Sequence, residues 1–400
     1  MNASFRTLPV ACLFAALPGL AAASGFGLIE SNADGQGVAY AGSGAVAENA
    51  STIYFNPAGM TLLPGRQIVG SLHAIQFSTK FDDGVAGNND GGDAGGLSFI
   101  PNLYYAMPLN ANTWFGLGIN VPFGLKTEYD PAWQGRVHGI KSELQTVNIN
   151  PSIGMRVSDK LSLGAGISAM YIKAELTGFA GAPGVLTVKG DDWGYGYNVG
   201  LLYELSKDTR IGLSYRSRVK QRLEGEATFS ASSAGNGPVT ASVTLPETAT
   251  LSLYTRLDPQ WALLADISWT GWSEFQELRI LRDTGATLTV TPENWNDTMR
   301  YSLGAHYQFN DRTKLRMGIG YDESPVPSTE FRTVRIPDND RTWIAFGVGY
   351  KLNKNDSIDL AYSHLFVKDA PINNTSSGVT VNGTYKSTVD ILGVQYTHTF

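Results

Sequence analysis

The 400-residue sequence is poor in cysteine, in charge and in long apolar runs, and each shortage excludes a class of protein. Its one cysteine, Cys12, lies in an apolar stretch near the N-terminus, so we expect no disulfide bond in the rest of the chain. Charged residues make up 16%, against about 25% in soluble globular proteins. After residue 23 no segment approaches the roughly 18 uncharged apolar residues of a membrane-spanning helix. No basic tract indicates a nucleic acid partner.

Glycine and aromatic residues are abundant instead, with 45 Gly, 8 Trp, 18 Tyr and 17 Phe. So many aromatic residues argue against a disordered chain. The apolar residues are spread along the sequence rather than clustered, and the formal net charge is −6. A charge-poor chain of this kind is typical of a transmembrane β-barrel.

The first 23 residues have the parts of a secretory signal peptide. Arg6 precedes the apolar stretch 8–20, and the small residues Ala21, Ala22 and Ala23 follow it. A buried N-terminal helix is the alternative. A signal peptide over residues 1–23 leaves a mature chain of residues 24–400 and, with the barrel composition, predicts the bacterial outer membrane as its location.

Short polar turns alternate with longer irregular stretches along the chain. The turns begin at Asn110, Ser158, Ser206, Asp258, Asn310 and Asn353. The longer stretches are residues 81–95, 127–140, 178–190, 231–238, 282–296, 324–339 and 370–384. Outer-membrane barrels have short periplasmic turns and long extracellular loops. Thirteen such connections predict an all-β transmembrane barrel of about 14 antiparallel strands over residues 65–400.

Apolar side chains alternate with small or polar ones inside the predicted strands. Trp261, Leu263, Ala265, Ile267 and Trp269 share one face, which we expect to contact lipid. The residues between them then face the lumen.

The last strand ends at Phe400, and Leu392, Val394, Tyr396 and His398 lie on the same face. This pattern resembles the C-terminal signal by which outer-membrane barrels are recognised for assembly. It predicts that the barrel-assembly machinery binds the chain through Phe400. The other expected partners are outer-membrane lipid and lipopolysaccharide, and the expected state is a monomer.

Residues 24–64 do not alternate and are rich in glycine and alanine. The lumen of a fourteen-stranded barrel is too wide for side chains alone to fill, so this segment is predicted to be a small plug inside it. A flexible periplasmic tail is the alternative. Phe26, Leu28, Ile29, Tyr54 and Phe55 favour the plug, because they are poor residues for a disordered tail.

Several short motifs resemble the FadL family of long-chain fatty acid transporters. They run in order down the chain and cover essentially all of the mature protein: Asn56-Pro57-Ala58, Pro122-Phe123-Gly124-Leu125-Lys126, Asp192-Trp193-Gly194-Tyr195, Leu245-Pro246-Glu247, Asp258-Pro259-Gln260-Trp261, Ser324-Pro325-Val326-Pro327 and Ile336-Pro337-Asp338-Asn339-Asp340. The resemblance implies a fourteen-stranded barrel that is plugged by an N-terminal hatch and carries hydrophobic small molecules inward without a cofactor. It places hatch residues at Ser24, Gly25, Phe26, Asn56, Pro57 and Ala58.

The resemblance also implies a lateral opening at Pro122, Phe123 and Gly124, where the family has a kink in the third strand. Proline removes a hydrogen-bond donor from a β-ladder and usually marks an edge or a bulge. The alternative is that prolines merely end strands near loops, and we expect that role for Pro101 and Pro151.

Two groups of residues are candidates for substrate binding. Tyr129, Trp133 and Arg136 lie in a predicted extracellular loop, where they form either a first landing site or part of the aromatic girdle. The second group, Arg216, Arg218, Lys220 and Arg222, is predicted to form a lumen-facing column. These cations either receive a carboxylate or pair with the lumen acids Glu204, Glu247 and Asp266.

The sequence departs from the fatty acid members of the family at two places. Gly178 and Thr291 stand where those members carry basic residues that hold the ligand carboxylate. Arg136 or Arg300 then takes over that role, or the ligand is a neutral hydrocarbon. Asp322 and Glu323 stand where the family has an acidic pair near the hatch and the pocket. The resemblance therefore predicts that they make a gating contact with the hatch.

Two rival functions are less consistent with the sequence. An outer-membrane enzyme needs a nucleophile and a base, and the five histidines form no recognisable pairing motif with serine. A diffusion porin for polar solutes needs an open lumen, which the predicted plug blocks. No His, Asp and Glu cluster has the spacing of a metal site, so no metal or other cofactor is expected.

Overall fold

The computed structural model describes residues 24–400, so the predicted signal peptide lies outside it. No helix in the described part is long and apolar enough to cross a membrane. Twenty strand segments form one antiparallel sheet. They are β1 Gln67–Asp82, β2 Gly96–Pro108, β3 Thr113–Asn120, β4 Gly124–Glu128, β5 Lys141–Arg156, β6 Leu161–Phe179, β7 Val185–Glu204, β8 Thr209–Arg216, β9 Val219–Phe229, β10 Gly237–Leu245, β11 Thr248–Arg256, β12 Trp261–Thr270, β13 Glu277–Arg282, β14 Thr287–Pro292, β15 Thr298–Gln308, β16 Thr313–Asp322, β17 Arg341–Lys351, β18 Asp356–Val367, β19 Ala370–Ser376 and β20 Val379–Thr399.

Six barrel strands are each interrupted once and so consist of two consecutive segments: β3 with β4, β8 with β9, β10 with β11, β12 with β13, β14 with β15 and β18 with β19. The count is therefore fourteen strands. The last strand pairs with the first, from Gln67 opposite Thr399 to Asp82 opposite Thr384. This pairing closes the barrel and confirms the predicted fold class.

All six predicted short turns are present, and they share one local mechanism. In each turn the first polar side chain accepts a hydrogen bond from the amide two residues later, for example Asn310 from Arg312 at 2.9 Å and Asn353 from Asn355 at 2.8 Å. Asn, Asp and Ser are favoured in turns for this reason. The turns, the start of β1 and the C-terminus lie at the same end of the barrel, because the Phe400 amide donates to the Arg66 carbonyl and Asn355 of the Asn353 turn donates to the Thr399 carbonyl.

Three of the predicted long loops are wrong. Most of residues 178–190 and 370–384, and about half of residues 282–296, belong to strands whose hairpins extend the barrel wall. In the last hairpin, for example, Asn373 pairs with Asn382. Alternation with apolar residues is needed only where a strand contacts lipid. Polar hairpins beyond the lipid therefore resemble loops in the sequence.

Residues 24–63 pack against the inward face of the barrel. They contain two single-turn helices, α1 Ala33–Gln36 and α2 Thr52–Phe55, and a 3-10 helix, Pro57–Leu62. Asn56 explains the Asn-Pro-Ala motif: its side chain caps the 3-10 helix at Ala58, and Pro57 takes the first helical position. Its amide group also donates to Gly44 at 2.8 Å and to the wall at Leu201, 3.0 Å away.

Three arginines of the barrel wall hold this segment. Arg210 donates to the carbonyl of Val46 at 3.0 Å, Arg216 to that of Tyr54 at 2.8 Å, and Arg300 to that of Ala39 at 2.9 Å. Each guanidinium also lies over an aromatic ring, at 4.4, 4.6 and 5.2 Å from the ring centre respectively. The segment is thus bonded to the wall through its main chain.

Candidate binding site and wall opening

The hydrogen-bonded wall has a break between the second and third barrel strands. β2 pairs with β3 only from Leu103 opposite Ile119 down to Pro108 opposite Trp114. Above this point the chain bends at residues 121–123, and β4 continues in pairing with β5. The two sides meet again only at the outer end, where the amide of Glu128 donates to the carbonyl of Ala94 at 2.9 Å and that of Asp130 to the carbonyl of Gly91 at 3.1 Å. Pro122, Phe123 and Gly124 lie at this break.

The N-terminal segment covers the bend from inside. The Leu28 amide donates to the Pro122 carbonyl at 2.8 Å, and the Gly124 amide donates to the Phe26 carbonyl at 2.9 Å. The Phe123 amide donates to the Thr146 hydroxyl at 3.0 Å. The main-chain groups that leave the ladder are therefore satisfied.

The expectation that Pro101 and Pro151 end strands is wrong. Pro101 lies inside β2 opposite Leu72, and Pro151 lies inside β5 opposite Leu117. Pro101 is above the last pair of β2 with β3, where the strand has one free edge. Proline is tolerated there because the free edge needs no donor.

Phe26 is at the centre of a buried aromatic cluster. Its ring lies 4.8 Å from Trp272, 5.5 Å from Phe275, 5.7 Å from Trp295 and 6.1 Å from Phe123. Gly25 must be glycine here, because its φ is +61° and a Cβ would stand 2.7 Å from the Trp295 ring. The cluster separates two cavities.

The first of these, the inner cavity, is lined by Phe26 and has a volume of about 90 Å³. Aliphatic and aromatic side chains form most of its wall: Leu125, Leu144, Ile172, Leu223, Val243, Phe275 and Ile336. The second, the hatch chamber, has a volume of about 150 Å³ and is lined by Gly27, Tyr54, Pro122, Phe123, Arg216, Trp272, Arg300 and Asp322, among others. The hatch chamber therefore reaches the bend in the wall.

Arg335 lies where the inner cavity meets a wide outer vestibule of about 1160 Å³. Its guanidinium donates to the hydroxyl of Ser142 at 2.9 Å and to the carbonyls of Lys141 and Thr177, each at 3.1 Å. Burial lowers the pKa of this guanidinium to about 10, so it is charged at neutral pH. The sequence showed no signal for Arg335, which lies in an irregular loop.

Gly178 lies beside this guanidinium. A Cβ on Gly178 would stand 3.5 Å from Nη2 of Arg335, and both residues line the outer vestibule together with Thr291. A cation from the loop thus lies beside one of the two positions where the sequence lacks the expected basic residue.

Tyr129 and Trp133 do not form an exposed landing site or part of the girdle, so both expectations are wrong for them. Trp133 is fully buried, and its ring stacks on Tyr129 with 4.2 Å between the ring centres. The Tyr129 hydroxyl donates to the carbonyl of Val334 at 2.5 Å, which joins two extracellular loops. The apolar residues of these loops pack together in a small hydrophobic core. Arg136 is half-buried and lies 4.5 Å over the Phe179 ring.

The predicted lumen-facing column of four cations is also wrong. The strand is interrupted at residues 217–218, and beyond this point Val219, Gln221 and Leu223 are buried while Lys220 and Arg222 are exposed. Because successive side chains point to opposite faces, an irregularity in the strand exchanges the two faces. Arg216, which precedes the interruption, faces the lumen as predicted.

Arg218 lies in the interruption and pairs with two acids, Glu247 and Glu274, each at 2.5 Å. Glu247 is one of the acids that the sequence analysis named as pairing partners. Arg300 lies beside the hatch and also lines the hatch chamber.

Asp322 and Glu323 lie beside the start of the described chain. The Ser24 hydroxyl donates to the carbonyl of Glu323 at 2.6 Å, and the Gly25 amide donates to the Asp338 carboxylate at 2.9 Å. Asp322 is buried and lines the hatch chamber. The acids are thus within reach of the segment that covers the bend.

One acidic group was missed by the sequence analysis. Asp82, Asp83 and Asp90 bring carboxylate oxygens within 4.8 Å of one another in an extracellular loop. Asn88 and Gln134 donate to the Asp83 carboxylate, at 2.6 and 3.1 Å. Only the fold of the loop brings these residues together.

A closed fourteen-stranded barrel with a packed lumen, a break in its wall and an apolar cavity beside that break defines an outer-membrane transport protein. The chain belongs to the family of outer membrane protein transport proteins (OMPP1/FadL/TodX), whose family model matches residues 14–400. It resides in the bacterial outer membrane.

Similar proteins cover most of the chain. The long-chain fatty acid transport protein of Escherichia coli O6:H1 is 34% identical over an alignment 393 positions long, which covers 86% of each chain. The 47 kDa outer membrane protein of Pasteurella multocida is 33% identical over 436 residues, which cover 100% of this chain and 99% of that protein.

Solved structures show the same fold at lower identity. A Pseudomonas aeruginosa FadL homologue has a TM-score of 0.87 and 24% identity, covering 94% of this chain and 100% of its own. The Ralstonia pickettii toluene transporter TbuX has a TM-score of 0.68 and 23% identity, covering 94% and 99%.

Proposed function

We propose that the chain carries long-chain fatty acids inward across the outer membrane by passive diffusion, and that they leave through the break in the barrel wall. The observation that carries this proposal is the inner cavity, whose apolar wall has the Arg335 guanidinium at its mouth. An apolar tail gains about 0.8 kcal/mol for each CH₂ that it buries. The carboxylate of the same molecule can pair with Arg335.

The proposed route has three steps. The ligand enters the outer vestibule, passes Arg335 and occupies the inner cavity. Movement of Phe26 then joins this cavity to the hatch chamber, because only the aromatic cluster lies between them. The ligand finally leaves at Pro122, Phe123 and Gly124 into the outer leaflet, so it need not displace the whole hatch. Glu323 acts on this step by holding Ser24, and Asp338 by holding Gly25, while Asp322 lines the hatch chamber beside them.

The second candidate ligand is a neutral aliphatic or aromatic hydrocarbon. Gly178 and Thr291, which carry no charge and line the outer vestibule, support it. A porin for polar solutes is less well supported, because the hatch segment fills the lumen.

Binding of matched ligands tests the proposal. We expect the purified protein to bind fatty acids more tightly as their chains lengthen, and to bind each acid more tightly than its methyl ester. Lipids extracted with the protein should include fatty acids by mass spectrometry. Equal binding of acid and ester would favour the neutral ligand, and a flat chain-length series or tight binding of sugars would contradict both.

A further inference from the structure

The last two barrel strands carry the same outward-facing pattern. Residues 356–366 and residues 390–400 both read Asp-x5-Tyr-x-His-x-Phe. The positions between Asp and Tyr that share this face are aliphatic in both copies: Ile358 and Leu360 in the first, Leu392 and Val394 in the second. No other histidine of the sequence has a tyrosine two residues before it, so the pattern occurs only twice.

Each copy completes the other across the β18–β20 pair. Tyr362 and His364 bond to the Asp390 carboxylate at 2.6 and 2.8 Å, and Tyr396 and His398 bond to that of Asp356 at 2.5 and 2.7 Å. The ring of each histidine also packs edge-on against the phenylalanine two residues later. The ring centres are 4.4 Å apart in the first copy and 4.5 Å in the second.

The two clusters lie at opposite rims of the membrane. Asp390 and His398 are eight residues apart, which at about 3.3 Å per residue is roughly 26 Å along the strand. The apolar band of an outer-membrane barrel is about 25 Å tall. Aromatic residues at both rims therefore have an ordinary anchoring role.

Anchoring does not explain the order of the residues. The two strands run in opposite directions, so a pattern set by membrane depth would be reversed between them. Instead both copies begin with Asp and end with Phe along the chain, and Phe366 and Phe400 lie at opposite rims. The pattern thus has the same order along the chain in both copies. A partner that binds an extended segment by adding a strand recognises side chains in this order.

We propose that residues 356–366 are a second recognition segment for the barrel-assembly machinery, equivalent to the C-terminal segment 390–400. Either copy can present its main-chain edge and its row of Tyr, His and Phe before the barrel closes. Two copies on one chain raise the effective concentration of binding segments, so loss of one copy is partly compensated by the other.

Assembly of the full chain on outer-membrane vesicles that contain the machinery tests this proposal. The variants are Tyr362→Ala with Phe366→Ala, Tyr396→Ala with Phe400→Ala, and all four together. The matched control is Phe346→Ala with Tyr350→Ala, which removes two exposed aromatics with the same spacing from β17. The folded fraction is measured as the heat-resistant band on gels.

We expect each double variant to assemble more slowly than the control, and the quadruple variant to assemble at least about tenfold more slowly. A synthetic peptide of residues 356–366 should inhibit assembly of the wild type, whereas the same peptide with both aromatics replaced by alanine should not.

Spontaneous folding into detergent micelles, without the machinery, separates recognition from packing. There we expect all variants to fold at the rate of the control. The proposal is overturned if Tyr362→Ala with Phe366→Ala assembles on vesicles at the control rate. It is also overturned if that variant slows spontaneous folding by the same factor, because the residues then act only as a rim anchor.

Discussion

The amide of Leu28 donates a hydrogen bond of 2.8 Å to the carbonyl oxygen of Pro122, so the hatch segment itself pairs with the bend in the barrel wall. Phe26, two residues earlier, lies between the inner cavity and the hatch chamber. A movement of this short stretch therefore uncovers the bend and joins the cavities at the same time. The break in the wall and the barrier between the cavities are coupled through residues 26–28.

The first prediction concerns this bend. Replacing Pro122 with Val and Gly124 with Thr restores an amide donor and favours a regular strand, which would pair with the free edge of β2. We expect uptake of fatty acids by cells to fall close to that of cells without the protein. Pro151→Val, at a proline inside β5 where the strand keeps its register with β3 and β6 on both sides, is the control. Normal uptake by the double variant would show that the ligand leaves by another route.

The second prediction concerns Arg335. Arg335→Gln removes the charge at the mouth of the inner cavity, and a hydrogen bond to a charged group contributes about 1.5–3 kcal/mol. We expect affinity for a fatty acid to fall about tenfold to a hundredfold and affinity for its methyl ester to stay unchanged. Lys368→Gln, at an exposed cation of the same end, should change neither affinity. An equal loss for acid and ester would mean that Arg335 shapes the cavity rather than binds the carboxylate.

The third prediction uses two glycines of the wall. A Cβ on Gly318 would stand 2.1 Å from the carbonyl carbon of Val38 in the hatch segment, whereas one on Gly70 would meet nothing within 4 Å. Gly318→Val should therefore displace the hatch and raise the conductance of the protein in lipid bilayers, while the barrel stays heat-resistant. Gly70→Val should leave conductance unchanged. Unchanged conductance of Gly318→Val would mean that the hatch does not block the lumen.

The fourth prediction concerns pH. Burial raises the pKa of the Glu30 carboxyl in the hatch from 4.5 to about 7, although the charges of Arg341 and Arg300 act against this shift. The docked hatch binds this proton more tightly than the undocked hatch does. The protonated Glu30 carboxyl therefore stabilises the docked hatch fully below about pH 4.5, and this stabilisation is lost as the pH rises through 7. The shift corresponds to about 3 kcal/mol of the free energy with which the hatch binds inside the barrel.

We therefore expect proteolysis of the hatch to become faster between about pH 5 and about pH 8, and Glu30→Gln to weaken this dependence. Glu128→Gln, at an exposed acid near the outer loops, is the control and should keep the wild-type profile. A Glu30→Gln profile identical to that of the wild type would contradict the role of Glu30.

The sequence by itself determined the features that depend on neighbours along the chain. Fourteen strands, six turns that begin with Asn, Ser or Asp, and the lipid face of β12 all follow from local periodicity and local hydrogen bonds. The Asn56-Pro57 cap is local as well. These predictions needed no knowledge of which strands lie side by side.

Only the tertiary structure decided the features that depend on distant segments. The interruption at residues 217–218 places Lys220 outside rather than in the lumen, and Trp133 is buried because Val334 and Tyr385 come from other parts of the chain. Arg335 lies beside Gly178 although 157 positions separate them in the sequence. A contact between such residues leaves no periodic pattern, because the barrel and its loops create it only when they close.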